Sequence, residues 1–151
     1  MCMRGNFWWT IHNFFTLFIQ ALTERRTNAL KKLTPGGVTN ICVHRETAML
    51  DLLKSYEASG EITQRPATFS FYGEGGMDLD GVKREAYSIF CRQLLHEYFN
   101  GRSTFVPRVG PGIVESTMRT LAQIISHQYV LTGIFPVQIN KAFVLAMLCG
   151  R

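Results

Sequence analysis

The 151-residue chain lacks most of the short patterns that announce a chemistry. Its four cysteines, Cys2, Cys42, Cys91 and Cys149, are far apart and include no CxxC pair. That excludes a disulfide framework and a zinc module. Free and mostly buried thiols in a reducing compartment are expected instead, hence an intracellular protein, cytoplasmic or nuclear. There is no internal repeat and no low-complexity tract, which excludes a repeat array and a disordered tail. No zinc-finger spacing, RNP-type aromatic motif or helix-turn-helix pattern is present. The formal charge is +5, but only Arg25, Arg26, Lys31 and Lys32 form a patch, and the remaining basic residues are scattered. The charge therefore reads as a solvated surface, with no nucleic-acid partner. The serines and threonines show no nucleophile-elbow pattern.

No apolar run is long enough for a membrane span. "FWWTIHNFFTLFIQAL", Phe7 to Leu22, is interrupted by Thr10, His12, Asn13, Thr16 and Gln20, and it falls short of the roughly 20 apolar residues a span needs. As a secretory signal it has only Arg4 as early charge and no A-x-A site before Thr23-Glu24. Phe7, Trp8, Ile11, Phe14, Phe15, Phe18, Ile19 and Leu22 recur at helical spacing on one face, continuing through Ala29, Leu30 and Leu33 until Thr34-Pro35-Gly36-Gly37 stops the pattern. This predicts an amphipathic helical segment and break over residues 1–37. Its apolar face suits core packing or a partner's groove. A membrane-surface role is disfavoured because Glu24 and the polar interruptions dilute the signal.

The rest alternates short strands with longer helices. A strand is expected at Ile41 to His44. Glu46 to Gly60 reads as a helix with Met49, Leu52, Leu53 and Tyr56 on one face and Gly60 as its stop. Ala67 to Gly73 alternates as a strand, with Phe69 and Phe71 on one side and Ser70 and Tyr72 on the other. A helix follows from Val82 to Phe99, using Val82, Ala86, Ile89, Phe90, Leu94 and Tyr98. Val106 to Gly112 reads as a loop. A second long helix runs from Val114 to Leu131 on Met118, Leu121, Ala122, Ile125 and Tyr129, with Gly133 as its stop. The last helix, from Pro136, is apolar nearly all round, which calls for burial on every side. Little chain remains after it to cover its far face, so the natural domain is expected to continue.

The densest cluster of glycine and charge is "GEGGMDLDGVKRE", residues 73 to 85. With Gly81 at the sixth position of a calcium loop, Gly76 stands where Asp belongs and Tyr87 where Glu belongs, so an EF-hand fails. Gly81-Val82-Lys83 breaks a Walker A loop. A dinucleotide fingerprint would need glycine at Asp78. Acid–base work by paired carboxylates has no partner nearby in sequence. What remains is a tight strand-to-helix turn in which Asp78 or Asp80 caps the helix. His12, His44, His96 and His127 are far apart. Cys91 with His96, or Cys42 with His44, supplies only two ligands each, short of a zinc site. No metal, cofactor or catalytic residue is assigned.

The same cluster carries a resemblance. Phe71-Tyr72-Gly73-Glu74, then Gly76, Asp78, Gly81-Val82, Arg84-Glu85 and the aromatic Tyr87, resembles the start of a HECT-type ubiquitin ligase domain. The likeness is closest to the divergent HECT-like domains of G2/M-phase-specific ubiquitin ligase-like proteins. Ile41 to Tyr56 resembles the family's opening strand, an arginine, and a helix carrying an Asp. Ser116 to Gly150 resembles its later helix pair. Asp80 departs from the pattern by replacing the first glycine of a usual pair; Ala86 and Ala122-Gln123 depart as well.

The resemblance implies an α+β fold, mainly helical with a few short strands. Residues 38–151 would be the front part of the larger N-terminal lobe. It implies ubiquitin transfer through a cysteine thioester in a complete protein, with a ubiquitin-conjugating enzyme and ubiquitin as partners. That cysteine lies in a Thr-Cys motif of a C-terminal lobe, and none of the four cysteines here has that context. The chain alone is expected to be inactive, with other protein segments completing the domain. The alternative from a different class is a non-catalytic interaction module that uses the Phe7–Leu22 helix.

Overall fold

The computed structural model describes residues 23–33, 37–75, 80–108, 110, 114–136 and 138–142. The Phe7–Leu22 helix, Asp78, Val137 and everything from Phe143 on lie outside them; within the last helix expected from Pro136, residues 138–140 form a turn and a bridge, and helix is seen only at 141–142. The chain divides into two compact units, Met1–Leu33 and Thr34–Arg151. In the first, residues 23–32 form helix α1. The Thr27 hydroxyl donates to the Thr23 carbonyl at 2.9 Å. Arg25, Lys31 and Lys32 are exposed, and so is Leu30, which belonged to the expected apolar face.

The second unit is α+β and mainly helical. Strand β1 (Thr39–Val43) pairs in parallel with β2 (Ala67–Phe71), with Ile41 opposite Phe69. Parallel strands need a crossover between them, and residues 44–66 provide it, carrying α2 (Ala48–Ala58) and a 3-10 turn at Ile62–Gln64. Alternation decides the faces: Ile41, Val43, Phe69 and Phe71 are buried, whereas Asn40 and Cys42 are exposed. β1 ends one residue earlier than expected because the Asp51 carboxylate takes the His44 backbone N–H at 2.8 Å and turns the chain out of the ladder. Gly60 does not supply the expected left-handed stop, since α2 already ends at Ala58 with Ser59 extended.

Helix α3 (Gly81–Tyr98) buries Ala86, Tyr87, Ile89, Phe90, Leu94 and Leu95 against α2 and β2. The chain passes straight from it into β3 (Phe99–Gly101), which pairs antiparallel with β4 (Phe105–Pro107). This hairpin corrects the reading of Val106 onward as plain loop. A Cβ at Gly101 would overlap the Thr104 carbonyl, so only glycine closes it. Phe105 also bridges to Ile139, donating its N–H to Gln138 at 2.8 Å and accepting from Asn140 at 2.9 Å. Arg108 serves the end of α3: its guanidinium donates to the carbonyls of Phe99 and His96 at 3.1 and 3.0 Å, satisfying acceptors the helix leaves open.

Helix α4 (Glu115–Thr132) ends as expected at Gly133, which is left-handed at φ 73° and donates to Tyr129 at 2.8 Å. Its buried face differs from the apolar pattern. Ala122 is exposed, and Met118, Ile125 and Tyr129 are half-buried. The face turned inward is Thr120, Leu121, Ile124, His127, Gln128 and Thr132. Polar residues occupy it because each finds a partner there. Thr132 donates to the Gln128 carbonyl at 2.7 Å, and His127 and Gln128 bond across the core.

Candidate functional site

Where β1 and β2 end, residues from three segments converge on Arg45. Its guanidinium meets Glu74 through two contacts, Nε–Oε1 at 2.6 Å and a terminal nitrogen to Oε2 at 2.9 Å. It also reaches Glu85 at 2.5 and 3.4 Å. The guanidinium carbon lies 4.0 Å above the Phe71 ring, a cation–π arrangement. Hydrogen bonds donated to Glu74 and then Glu85 hold Arg45 charged even more firmly than usual, and Arg45 in turn holds the Glu74 carboxyl below its ordinary range. This is a clamp: one turn after β2 and one turn of α3 are fastened to the end of β1. Both glutamates belong to the Gly/Asp stretch.

Asp80 stands at the N-cap of α3, but its carboxylate makes no capping bond to the backbone. It binds Lys83 at 3.0 Å and Arg84 at 3.5 Å, which lowers its pKa, Lys83 contributing most. The expected cap is therefore corrected at Asp80. The reason is conformational: its φ of 72° is left-handed, and among the described non-glycine residues it is alone in that region.

Beside the clamp, His44 stacks on Tyr72 with ring centroids 4.0 Å apart, and its Nδ1 lies 3.0 Å from Asp51. Burial pushes the Asp51 carboxyl up, but hydrogen bonds from the His44 backbone, the His44 ring and Thr47 outweigh it and hold the pKa low. Gln93 of α3 completes the region. Its carbonyl accepts the Met49 N–H at 2.8 Å, and its amide donates to the carbonyls of Glu46 and Arg45 at 2.9 and 3.2 Å. The open N-terminus of α2 is thus capped from another helix. An open groove of about 650 Å³ runs past these residues, walled by Met49, Leu50, Ile89, Arg92 and His96.

A second cluster is interior. The Tyr56 hydroxyl lies 2.7 Å from His127 Nδ1 and 3.2 Å from the Tyr87 hydroxyl. His127 Nε2 lies 3.0 Å from the Arg65 carbonyl. A carbonyl only accepts, which assigns the proton to Nε2 and leaves Nδ1 an acceptor. The chain then runs one way: Tyr87 donates to Tyr56, Tyr56 to Nδ1, and Nε2 to Arg65. Burial lowers His127 to about 4 against a weak opposing bond to Arg65, so the ring is neutral. Burial raises both tyrosines, keeping them protonated. No buried side-chain polar atom among the described residues is left without a partner.

Cys91 sits next to this cluster on the wall of a cavity of about 260 Å³. Its thiol donates to Gln128 Oε1 at 3.2 Å. Burial pushes the thiol up to about 11, with Gln128 pulling weakly the other way. At neutral pH it is a thiol and not the thiolate that attacks carbonyls. Cys42 lies exposed on the outer face of β1, while Cys2 and Cys149 lie outside the described residues. No group of three or more His, Cys, Asp or Glu among the described residues is placed to hold a metal. Among the described residues, no helix is long and apolar enough to cross a membrane.

Sequence reasoning named Glu74 and Glu85 but gave them no partner, and it missed Gln93, Tyr56, Tyr87 and Gln128 as polar elements. A signal for the last was present. Leu121, Ile124, Gln128 and Thr132 fall at helical spacing once polar residues are allowed on the inner face. No protein-family model matches the chain, and no curated protein matches it either.

Proposed function

We propose that residues 38–151 are the front part of the larger N-terminal lobe of a HECT-like ubiquitin–protein transferase. In this reading the stretch is scaffold, and the ubiquitin-carrying thiol belongs to another part of the complete protein. The observation that carries it is the clamp. Arg45, Glu74 and Glu85 come from separate pieces of the resemblance, and they meet within hydrogen-bonding distance. A motif whose members hold one another has a structural reason to recur as a unit. Asp80 adds support: it stands where the family pattern has glycine, and its backbone adopts the left-handed conformation that glycine accepts most readily.

The setting of Cys91 supports the expectation that this stretch alone is inactive. Ubiquitin transfer needs an accessible, activated thiolate, and Cys91 is a protonated thiol engaged with Gln128. Incubation with activating enzyme, conjugating enzyme and ubiquitin, followed by a non-reducing gel, is expected to give no thiol-sensitive adduct on this chain. An adduct abolished by Cys91→Ala or Cys42→Ala overturns the scaffold reading. Reading the transcript past Arg151 tests the family itself, with further helices and a Thr-Cys motif expected. A continuation without that motif removes the transferase.

A further inference from the structure

The Tyr87–Tyr56–His127–Arg65 chain joins α3, α2, α4 and the segment after the 3-10 turn through single hydrogen bonds, buried at the two tyrosines and part-buried at the Arg65 carbonyl. Its direction is set by one acceptor, the bare Nδ1 of His127. From α2 the ring faces the Tyr56 hydroxyl, and from the segment before β2 the Arg65 carbonyl. From α3, Tyr87 reaches it through Tyr56, and Cys91 bonds to the neighbouring Gln128. The Arg65 guanidinium is turned away to Glu61 at 2.6 Å. No carboxylate is among the ring's hydrogen-bond partners.

We propose that this chain is an acid-responsive latch, in which one proton on His127 releases α4 from α2 and from the segment ahead of β2. A proton at Nδ1 turns the acceptor into a donor and sets it against the Tyr56 O–H. Tyr56 must then turn its own proton toward Tyr87, and Tyr87 loses its acceptor. The ring also becomes a buried cation whose polar partners are a hydroxyl and a carbonyl, with no counter-charge to offset its lost hydration. Water supplies what is missing only if the α2–α4 contact parts. The neutral state has no such conflict, so the latch is closed at neutral pH.

His127→Gln separates proton uptake from packing, because glutamine carries one acceptor and one donor but does not titrate in this range. Amide hydrogen exchange on the full 151-residue chain, corrected for intrinsic rate, is compared at about pH 7 and about pH 5. In the wild type, protection of α4 and of Ile62–Gln64 is expected to fall on the order of twentyfold, while His127→Gln keeps it. Parallel loss in both proteins assigns the change to the carboxylates and overturns the latch, as does undiminished protection in the wild type. Should the glutamine variant fail to fold, an NMR titration of the wild-type ring decides. A ring that takes its proton in step with loss of α4 protection supports the latch. One that titrates at an ordinary pH with protection intact overturns it.

Discussion

Arg45 and His127 each tie several segments together, one with charge at the surface and the other with neutral hydrogen bonds in the interior. Arg45 is about two-fifths exposed, as are its glutamate partners by somewhat more. Water and salt compete for every contact in the clamp, so its role is chiefly to set the geometry of the turn before α3. His127 is 2% exposed and its neighbours Tyr56 and Tyr87 are 4% and 1%. Water is kept from the Tyr56–His127 and Tyr56–Tyr87 bonds, and nothing replaces these when one is removed. Long-range order here therefore rests more on the less charged of the two clusters.

The strongest way to test that contrast is His127→Ala. It opens a cavity and strands both the Tyr56 donor and the Arg65 acceptor. Urea denaturation is expected to show a loss of about 3–5 kcal/mol. Acid comes next. Below pH 6.5 the unfolded chain protonates His127, while the folded ring stays neutral down to about 4. Its contribution is thus whole above 6.5 and lost as the pH falls toward 4, amounting to about 3 kcal/mol at most. Asp51, held low, adds a loss in the same direction as the pH falls. Urea midpoints across this range in wild type and His127→Gln divide the two.

Tyr87→Phe removes only the outer bond of the chain and is expected to cost about 1 kcal/mol in the same assay. Arg45→Gln is expected to lower the melting temperature less than any of these. Its effect should fade in roughly 1 M salt, where screening acts within about 3 Å. A salt-independent loss larger than that of Tyr87→Phe would reverse the comparison. The smallest change expected is at Asp80. Asp80→Gly should leave the thermal melt nearly unchanged, because glycine accepts φ 72° without strain.

Much of the architecture was legible because it follows from local rules. Phe69 and Phe71 alternate with polar residues and line one face of a strand. Leu52, Phe90 and Leu94 repeat at helical spacing and are buried. Gly133 stops α4 because its φ is cheap for glycine alone. The β3–β4 hairpin was hidden because three-residue strands give alternation too little length, and Arg108 at its edge bonds to carbonyls that sequence does not show. The inner face of α4 was hidden because a periodicity of apolar residues passes over His127, Gln128 and Thr132. Gln93 gave no sign at all, since capping a different helix leaves no trace in its own neighbourhood.

Hydrophobic spacing and turn chemistry act over a few residues, and so the order of strands and helices is written into the chain itself. The partners of Arg45, the tautomer of His127 and the inert thiol of Cys91 are settled elsewhere. Each depends on which polar group 30 to 70 residues away arrives within about 3 Å, a spacing at which hydrogen bonds form or fail. Only the folded chain brings those groups together.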